Sequence, residues 1–441
     1  MIGKLAAPRR FPEWMIAARA GAFYGGWVPS IPAPLLIADY RAFWVSRFLA
    51  TVAGLMLVVV IGWQVYDIAR ETMSRDDAAF LLGMIGLAQF LPLFCLALVV
   101  GVIADRVDRR YIARAAVALE VGCAGVLGWL ALVGTVPMVS LFVVAALLGV
   151  ARAFQGPSMA ALAPNLVPRE LLPQAIALNS ISWQAGAVIG PPLGALLYAV
   201  SPATPYVVAA ILFALTFVCL MIIRPVPRPA PSTLTPWRSL VEGIAYVRHN
   251  KVLLGAISLD LFAVLLGGAT AMLPVYARDV LHVGVEGLGP LRAAPSAGAV
   301  LMAVLLASRP LRRHVGPVMF GSVALFGLAT IVFGLSTSYP LSLAALFVLG
   351  AADAISVFVR GSLIQLHTPD DMRGRVSSVS GLFISASNEL GELESGLAAR
   401  YIGAVPGVVI GGVGAIIVTL VWAWRFPQLR LADRFDQQRP G

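Results

Sequence analysis

The sequence carries little charge: only 12% of its 441 residues are Asp, Glu, Lys or Arg, against about 25% in an ordinary soluble domain. This scarcity excludes a soluble globule and an intrinsically disordered chain, because both need a charged, solvated surface. The three cysteines and four histidines are scattered, without the spacing of a metal site. We therefore expect no disulfide scaffold, no bound metal and no other cofactor.

Apolar residues, by contrast, make up 59% of the chain, and the mean hydropathy is +0.87. A helix that crosses a bilayer needs about 20 apolar residues. A window of that length predicts an all-α membrane protein with twelve transmembrane helices in the lipid bilayer. The predicted spans are 43–66, 80–103, 111–133, 136–154, 172–200, 205–223, 252–276, 288–307, 315–335, 341–366, 376–398 and 402–424.

The distribution of positive charge predicts the orientation. A net charge of +10 would suggest nucleic acid in a soluble chain, but here the basic residues lie between apolar runs. Twenty-four of the 32 lysines and arginines fall on the side of both termini, and cytoplasmic loops carry such an excess. We therefore expect a bacterial inner-membrane protein with both termini in the cytoplasm and no nucleic-acid partner. The few basic residues on the opposite side are Arg70, Arg75, Arg278 and Arg400.

The chain divides into two halves around a polar, proline-rich centre. A shift of 201 residues aligns Gly149 with Gly350 and Gly190 with Gly391. These matches and the six-plus-six layout predict two parallel repeats, which form two pseudo-symmetric six-helix bundles. The predicted parts are a cytoplasmic tail (1–40), a first bundle (41–224), a cytoplasmic linker (225–251), a second bundle (252–424) and a cytoplasmic C-terminal tail (425–441).

A basic loop from Gly101 to Arg110 follows the second predicted span. Its glycine, aspartate and basic pair resemble the loop signature of the major facilitator superfamily, with Asp108 where glycine is commoner. The resemblance implies a cytoplasmic latch between the halves, with Asp105 near the helix start at 373–376. Asp108 either stiffens the turn or accepts a salt bridge from Arg110, and the alternative for the whole loop is an ordinary basic loop. The latch residues are Gly101, Asp105, Arg106, Arg109 and Arg110.

Two further stretches carry the same resemblance. The fourth predicted span ends with an arginine, Arg152, followed by glutamine and glycine, and the fifth contains a glycine–proline motif. In the family, the arginine is linked to proton coupling and the glycine–proline motif marks exporters. The alternatives are a structural pair of Arg152 with Glu120 and a packing face of small residues. The motif residues are Gly186, Gly190, Pro191 and Gly194.

Ionisable side chains inside a membrane are expensive and mark function by default. An apolar cavity favours the uncharged form of a carboxyl group, which suits proton carriage near neutral pH. The alternative for Asp353 and Glu389 is a carboxylate locked by an arginine. The candidates for proton coupling are Glu120, Arg152, Asp260, Asp353 and Glu389. The candidates for lining a substrate cavity are Arg47, Trp183, Gln184, Arg360 and Glu392.

Residues 40–48, 237–243 and 368–376 resemble the branch of the superfamily that includes the enterobactin exporter. The resemblance implies a monomeric exporter of a small organic molecule, such as a siderophore or a drug, that is driven by a proton gradient and works by alternating access. The alternatives are uptake by proton symport and a non-transporting membrane sensor or assembly partner. The sequence has no nucleophile motif and no phosphate loop, so we expect neither an enzyme nor ATP-driven transport.

Overall fold

The computed structural model describes residues 32–225, 236–309, 311 and 313–435. Most of the predicted N-terminal tail lies outside these ranges, as do the proline-rich half of the linker and the last six residues. The helices of the first half are α1 (Ala38–Thr72), α2 (Arg75–Arg106), α3 (Arg109–Leu132), α4 (Met138–Leu162), α5 (Leu172–Val200) and α6 (Thr204–Ile222). Those that follow are α7 (Pro236–His249), α8 (Lys251–Leu266), α9 (Gly284–Ser308), α10 (Val315–Leu335), α11 (Tyr339–His367), α12 (Asp370–Ile402), α13 (Ala404–Arg425) and α14 (Pro427–Arg430).

The long helices account for all twelve predicted spans. Ten helical segments within the described ranges are long and apolar enough to cross a membrane. The remaining two spans are α5 and α12, which are equally long but carry more polar residues. Both helices line the space between the two halves, where polar side chains do not meet lipid. The prediction of an all-α membrane protein with twelve spans is therefore confirmed.

The helices form two bundles with the same internal arrangement. In the first bundle α1 packs against α5 and α6, α3 against α4 and α6, and α2 against α4. In the second bundle α8 packs against α12 and α13, α10 against α11 and α13, and α9 against α11. Between the bundles, α2 contacts α12 and α5 contacts α9. Each contact has a counterpart in the other half, which confirms two pseudo-symmetric six-helix bundles.

The glycines that align between the halves occupy equivalent places. A Cβ atom on Gly149 would overlap the backbone of α2, and one on Gly350 would overlap the backbone of α9. Likewise, a Cβ on Gly190 would lie 2.9 Å from the Val52 carbonyl oxygen in α1, and one on Gly391 would lie 3.0 Å from the Val264 carbonyl oxygen in α8. Small residues at these four positions let the helix backbones approach closely.

Replacing Gly350 with alanine is expected to destabilise the second bundle. The added methyl group would overlap the Pro295 carbonyl group, and overpacking of this kind costs about 1–3 kcal/mol. Gly361 lies on the same helix with nothing within 4 Å of its Cβ position, so Gly361→Ala is the matched control. Thermal unfolding of the purified protein should show a lower midpoint for the first variant only. Equal midpoints would contradict the close helix contact.

The seventh span is broken, whereas the sequence predicted a continuous helix over 252–276. Helix α8 ends at Leu266, and a 3₁₀ turn (Ala269–Met272), a single α-turn (Leu273–Val275) and a π-turn (Tyr276–Val280) follow. Gly267 and Gly268 stand at the break, and a Cβ on Gly268 would lie 2.6 Å from the Gly391 carbonyl oxygen of α12. The close approach of α12 requires glycine here, and glycine weakens the helix. The break leaves backbone carbonyl groups without helical partners.

The linker helix and the C-terminal segment belong to the second bundle. Arg375 of α12 forms a 2.6 Å ion pair with Glu242 of α7. The Tyr246 hydroxyl group of α7 donates to the His367 carbonyl oxygen at 2.7 Å. In the C-terminal segment, the Ala432 carbonyl oxygen accepts a 2.8 Å hydrogen bond from the Gly316 amide. These elements mark one end of the bundles, which we name the terminal end, and we name the opposite end the far end.

Candidate functional site

Two adjacent chambers lie between the bundles. The first chamber, of about 480 Å³, is bordered mainly by helices of the first bundle, and the second chamber, of about 430 Å³, mainly by helices of the second bundle. Each is within the range of roughly 300–1,000 Å³ that is usual for small-molecule sites. All ten side chains predicted for proton coupling or substrate binding line one chamber or both. The side chains shared by both walls are Leu55, Trp183, Arg292, Asn388 and Glu392.

The first chamber holds charges of both signs, and neutral amides contact two of them. The Arg152 guanidinium donates to the Gln89 side-chain oxygen at 2.9 Å. The Gln155 amide donates to a Glu120 carboxylate oxygen at 2.8 Å. Within the described residues no direct ion pair joins Glu120 to Arg152 and each contacts an amide instead, so their structural pairing stays a prediction.

Two further walls of the first chamber are formed by Arg47 and Trp183. The Arg47 Nε atom is buried and has no hydrogen-bond partner among the described residues. Trp183 stands in the wall of both chambers, and 48% of its surface is accessible. Glu389 and Glu392 reach the same chamber from α12. A polar or charged ligand of moderate size would therefore meet a guanidinium, carboxylates and an aromatic ring in one space.

The second chamber contains a buried ion pair. Arg360 of α11 pairs with Asp260 of α8, and the two residues are only 3% and 5% exposed. Arg360 lies seven residues after Asp353 in the same helix, but its ion-pair partner, Asp260, lies on a different helix. Asp353 lines this chamber and forms no ion pair within the described part of the chain. Gln184 also lines this chamber.

Arg292 and Glu392 stand between the chambers, and both line each of them. The Arg292 guanidinium donates to the Thr270 carbonyl oxygen at 2.6 Å, which satisfies the backbone at the break in the seventh span. It also lies 3.9 Å from a Glu392 carboxylate oxygen. The other Glu392 oxygen would be 2.6 Å from a Cβ on Gly86 of α2, so Glu392 reaches across to the first bundle.

Sequence reasoning missed Arg292. Arg292 lies within the predicted span 288–307, but it is not among the residues predicted to line the cavity. The default rule for ionisable groups at membrane depth would have selected it, as it selected Arg47 and Arg360.

Both helix crossings between the bundles are tight near the far end. A Cβ on Gly83 of α2 would lie 3.0 Å from the Gly396 Cα atom of α12. A Cβ on Gly289 of α9 would lie 2.8 Å from the Pro192 Cα atom of α5. The chambers lie on the terminal side of both crossings. The cavity is therefore closed toward the far end.

The predicted latch loop is described only in part. The side chains of Gly101, Asp105 and Arg106 lie outside what the structure describes, so the predicted contact of Asp105 near 373–376 stays a prediction. Arg109 donates to the Ala161 carbonyl oxygen at 3.4 Å. Arg110 forms a 2.7 Å ion pair with Asp108, whose carboxylate also accepts from the Arg110 amide at 3.0 Å. Of the two roles expected for Asp108, the structure has the salt bridge and also a cap of the first turn of α3.

The glycine–proline motif of α5 lies against α1. A Cβ on Gly186 would lie 2.7 Å from the Thr51 side chain, and one on Gly194 would lie 3.0 Å from the Met56 carbonyl oxygen. Pro191, between them, lines the second chamber. The motif thus sets the distance between α1 and α5 beside the cavity.

Comparison with known proteins assigns the family. Residues 43–392 match the family model of the Major Facilitator Superfamily. The enterobactin exporter EntS of Citrobacter koseri is 29% identical over 414 residues, which cover 91% of this chain and 94% of the relative. A POT family transporter in complex with a thioalcohol conjugated peptide has a TM-score of 0.69 at 13% identity, with 88% of this chain and 96% of that chain covered. A D-xylose–proton symporter has a TM-score of 0.66 at 15% identity, with 89% and 96% covered. At these identities the solved structures show the fold alone. The family model covers most of the chain, and the chain therefore belongs to the major facilitator superfamily of membrane transporters.

Proposed function

We propose that this chain is a proton-coupled exporter of a small organic molecule, siderophore or drug-like, that works by alternating access. It acts as a monomer in the bacterial inner membrane, with both termini in the cytoplasm and the proton gradient as its energy source. The observation that carries the proposal is the cavity between the bundles, which is closed toward the far end and holds Glu120, Glu389 and Glu392 beside arginines. Rocking of two repeats around such a central site is how transporters of this architecture alternate access.

Two observations support export of a siderophore-like cargo. The Citrobacter koseri relative, similar over 91% of this chain, is named an enterobactin exporter. The glycine–proline motif that marks exporters in the family lies tightly against α1 beside the cavity. The cavity walls offer guanidinium groups and an aromatic ring, which suit a cargo with aromatic and acidic groups.

Proton-coupled uptake is the second candidate. A D-xylose–proton symporter shares the fold, and the same carboxylates could carry protons in the direction of the substrate. The two modes differ in which side of the membrane must be acidic for the substrate to accumulate.

Transport in proteoliposomes separates these candidates. The full chain is reconstituted in vesicles with an acidic lumen, and iron-free enterobactin or ethidium is added outside. Antiport predicts that enterobactin or ethidium accumulates in the lumen. The orientation of the protein does not matter, because protons that leave the vesicle drive the organic substrate in the opposite direction, into the lumen. We expect Glu389→Gln to abolish this accumulation and a protonophore to do the same.

Glu394→Gln is the matched control, because Glu394 lies on the opposite face of α12 from Glu392 and is not among the residues that line the two chambers. Accumulation only when the outside is acidic would establish symport. Absence of movement under both gradients would overturn the proposal.

A further inference from the structure

Four charged side chains join the two bundles at the far end, in a crossed arrangement. The Arg70 Nε atom of α1 lies 3.2 Å from an Asp279 carboxylate oxygen, and the Tyr66 hydroxyl group donates to the same oxygen. In the opposite sense, the Arg278 guanidinium pairs with the Asp67 carboxylate. It also donates to the Asp67 carbonyl oxygen at 3.2 Å. Each bundle therefore supplies one acid and one base to its partner.

The π-turn of the seventh span presents the second bundle's pair of charges. Arg278 and Asp279 are neighbours within this turn, Tyr276–Val280, and reach positions 67 and 70, about one turn apart on α1. The turn is fixed to its own bundle, because the Tyr276 hydroxyl group donates to the Gly334 carbonyl oxygen at 2.8 Å and its ring centroid lies 4.4 Å from that of Phe333. π-turns are rare and occur frequently at functional sites.

A weaker contact joins α2 and α12 at the same end. The Arg400 Nε atom lies 3.6 Å from an Asp77 carboxylate oxygen, and the guanidinium carbon lies 4.8 Å from the centroid of the Phe80 ring. The two charged side chains are 45% and 51% exposed, so solvent screens them more than the pairs on α1. We therefore assign this contact a supporting part.

Topology does not explain these arginines. Positive charge is disfavoured on the side opposite the termini, yet three of the four basic residues there, Arg70, Arg278 and Arg400, contact the other bundle. Their retention on the disfavoured side suits a role in holding the bundles together.

We propose that Asp67, Arg70, Arg278 and Asp279 form a far-end latch that holds the cavity closed on this side and breaks whenever the cavity opens there. The inference rests on the proposed alternating-access function. The pairs suit a reversible contact, because the four side chains are 18–42% exposed, so each pair is weak and regains hydration when it separates. A fully buried pair would resist opening in every cycle.

The latch can be tested without a substrate. Nitroxide labels are attached at Thr135→Cys and Ser338→Cys in a variant without its native cysteines; both sites are exposed in far-end loops, one in each bundle. Pulsed electron–electron double resonance in lipid nanodiscs then reports the distance between the two labels and hence between the bundles. Asp67→Asn with Asp279→Asn is expected to raise the ratio of open to closed far ends about tenfold, from the loss of two ion pairs.

Charge exchange supplies the decisive comparison. Asp67→Arg or Arg278→Asp alone should open the far end, and the two together should restore the closed distance. Glu71→Gln, an exposed charge at the same helix end, should leave the distance unchanged. The latch is refuted if the double asparagine variant keeps the closed distance, or if Glu71→Gln shifts it equally. Transport that fails in the unaltered protein while these distances behave as expected would refute the proposed function and leave the latch standing.

Discussion

Replacing Arg360 alone with methionine is expected to lower the free energy of unfolding by about 3–5 kcal/mol. Arg360 and Asp260 form an ion pair that is 3% and 5% exposed. Removal of one partner leaves a buried charge without compensation. Thermal unfolding of the purified protein measures the loss. Asp353→Asn is the matched control, because Asp353 lines the same chamber without an ion-pair partner in the described part of the chain.

The double variant Asp260→Leu with Arg360→Met separates a structural role from a role in proton coupling. Replacing both partners of a buried pair with apolar side chains is often neutral or stabilising, so most of the lost stability should return. If the pair is structural, the double variant also transports. If Asp260 carries the proton, the double variant is stable and inactive. An unchanged unfolding midpoint for the single variant would contradict the buried pair itself.

Replacing Arg292 with glutamine is expected to slow gradient-driven transport about tenfold or more, since a hydrogen bond that involves a charged group contributes about 1.5–3 kcal/mol and about 1.4 kcal/mol corresponds to a tenfold change in rate. The change removes the 2.6 Å hydrogen bond to Thr270 and the charge 3.9 Å from Glu392. Both the break in the seventh span and the carboxylate between the chambers then lose their partner. Initial rates in proteoliposomes measure the effect.

Arg292→Lys should give an intermediate rate, because lysine keeps the charge but lacks the planar fork of donors that serves two partners at once. A size-exclusion elution profile and a thermal unfolding midpoint close to those of the unaltered protein would show that the Arg292→Gln variant still folds. A rate equal to that of the unaltered protein would exclude Arg292 from the transport cycle.

The sequence predicted the helices and their grouping well, because hydropathy reports membrane depth directly. The spacing of Gly149 and Gly350 also predicted the repeat correctly, because both glycines lie where the backbone of a neighbouring helix leaves no room for a side chain. The break after Leu266 was missed because the apolar window continues through Gly267 and Gly268. Hydropathy measures apolarity and not helix propensity, so it does not detect a glycine pair that breaks a helix.

Partners of the charged side chains were harder to predict. Sequence spacing relates residues on one helix, so it could not identify the partner of Arg360, because that partner, Asp260, lies on a neighbouring helix. The same limit hid the far-end contacts, because Arg70 and its partner Asp279 lie 209 positions apart in the chain. Only the adjacency of α1 to the end of the seventh span makes them a pair.

The contact between Gly83 and Gly396 also bears on how the membrane stays electrically sealed. The backbones of α2 and α12 meet there so closely that even one methyl group would press on the opposite backbone, 3.0 Å away. A file of water molecules has no room to pass between these two helices at that point. Protons arriving from the far side therefore cannot leak along this seam while it is closed, and the gradient is spent only when the whole contact separates.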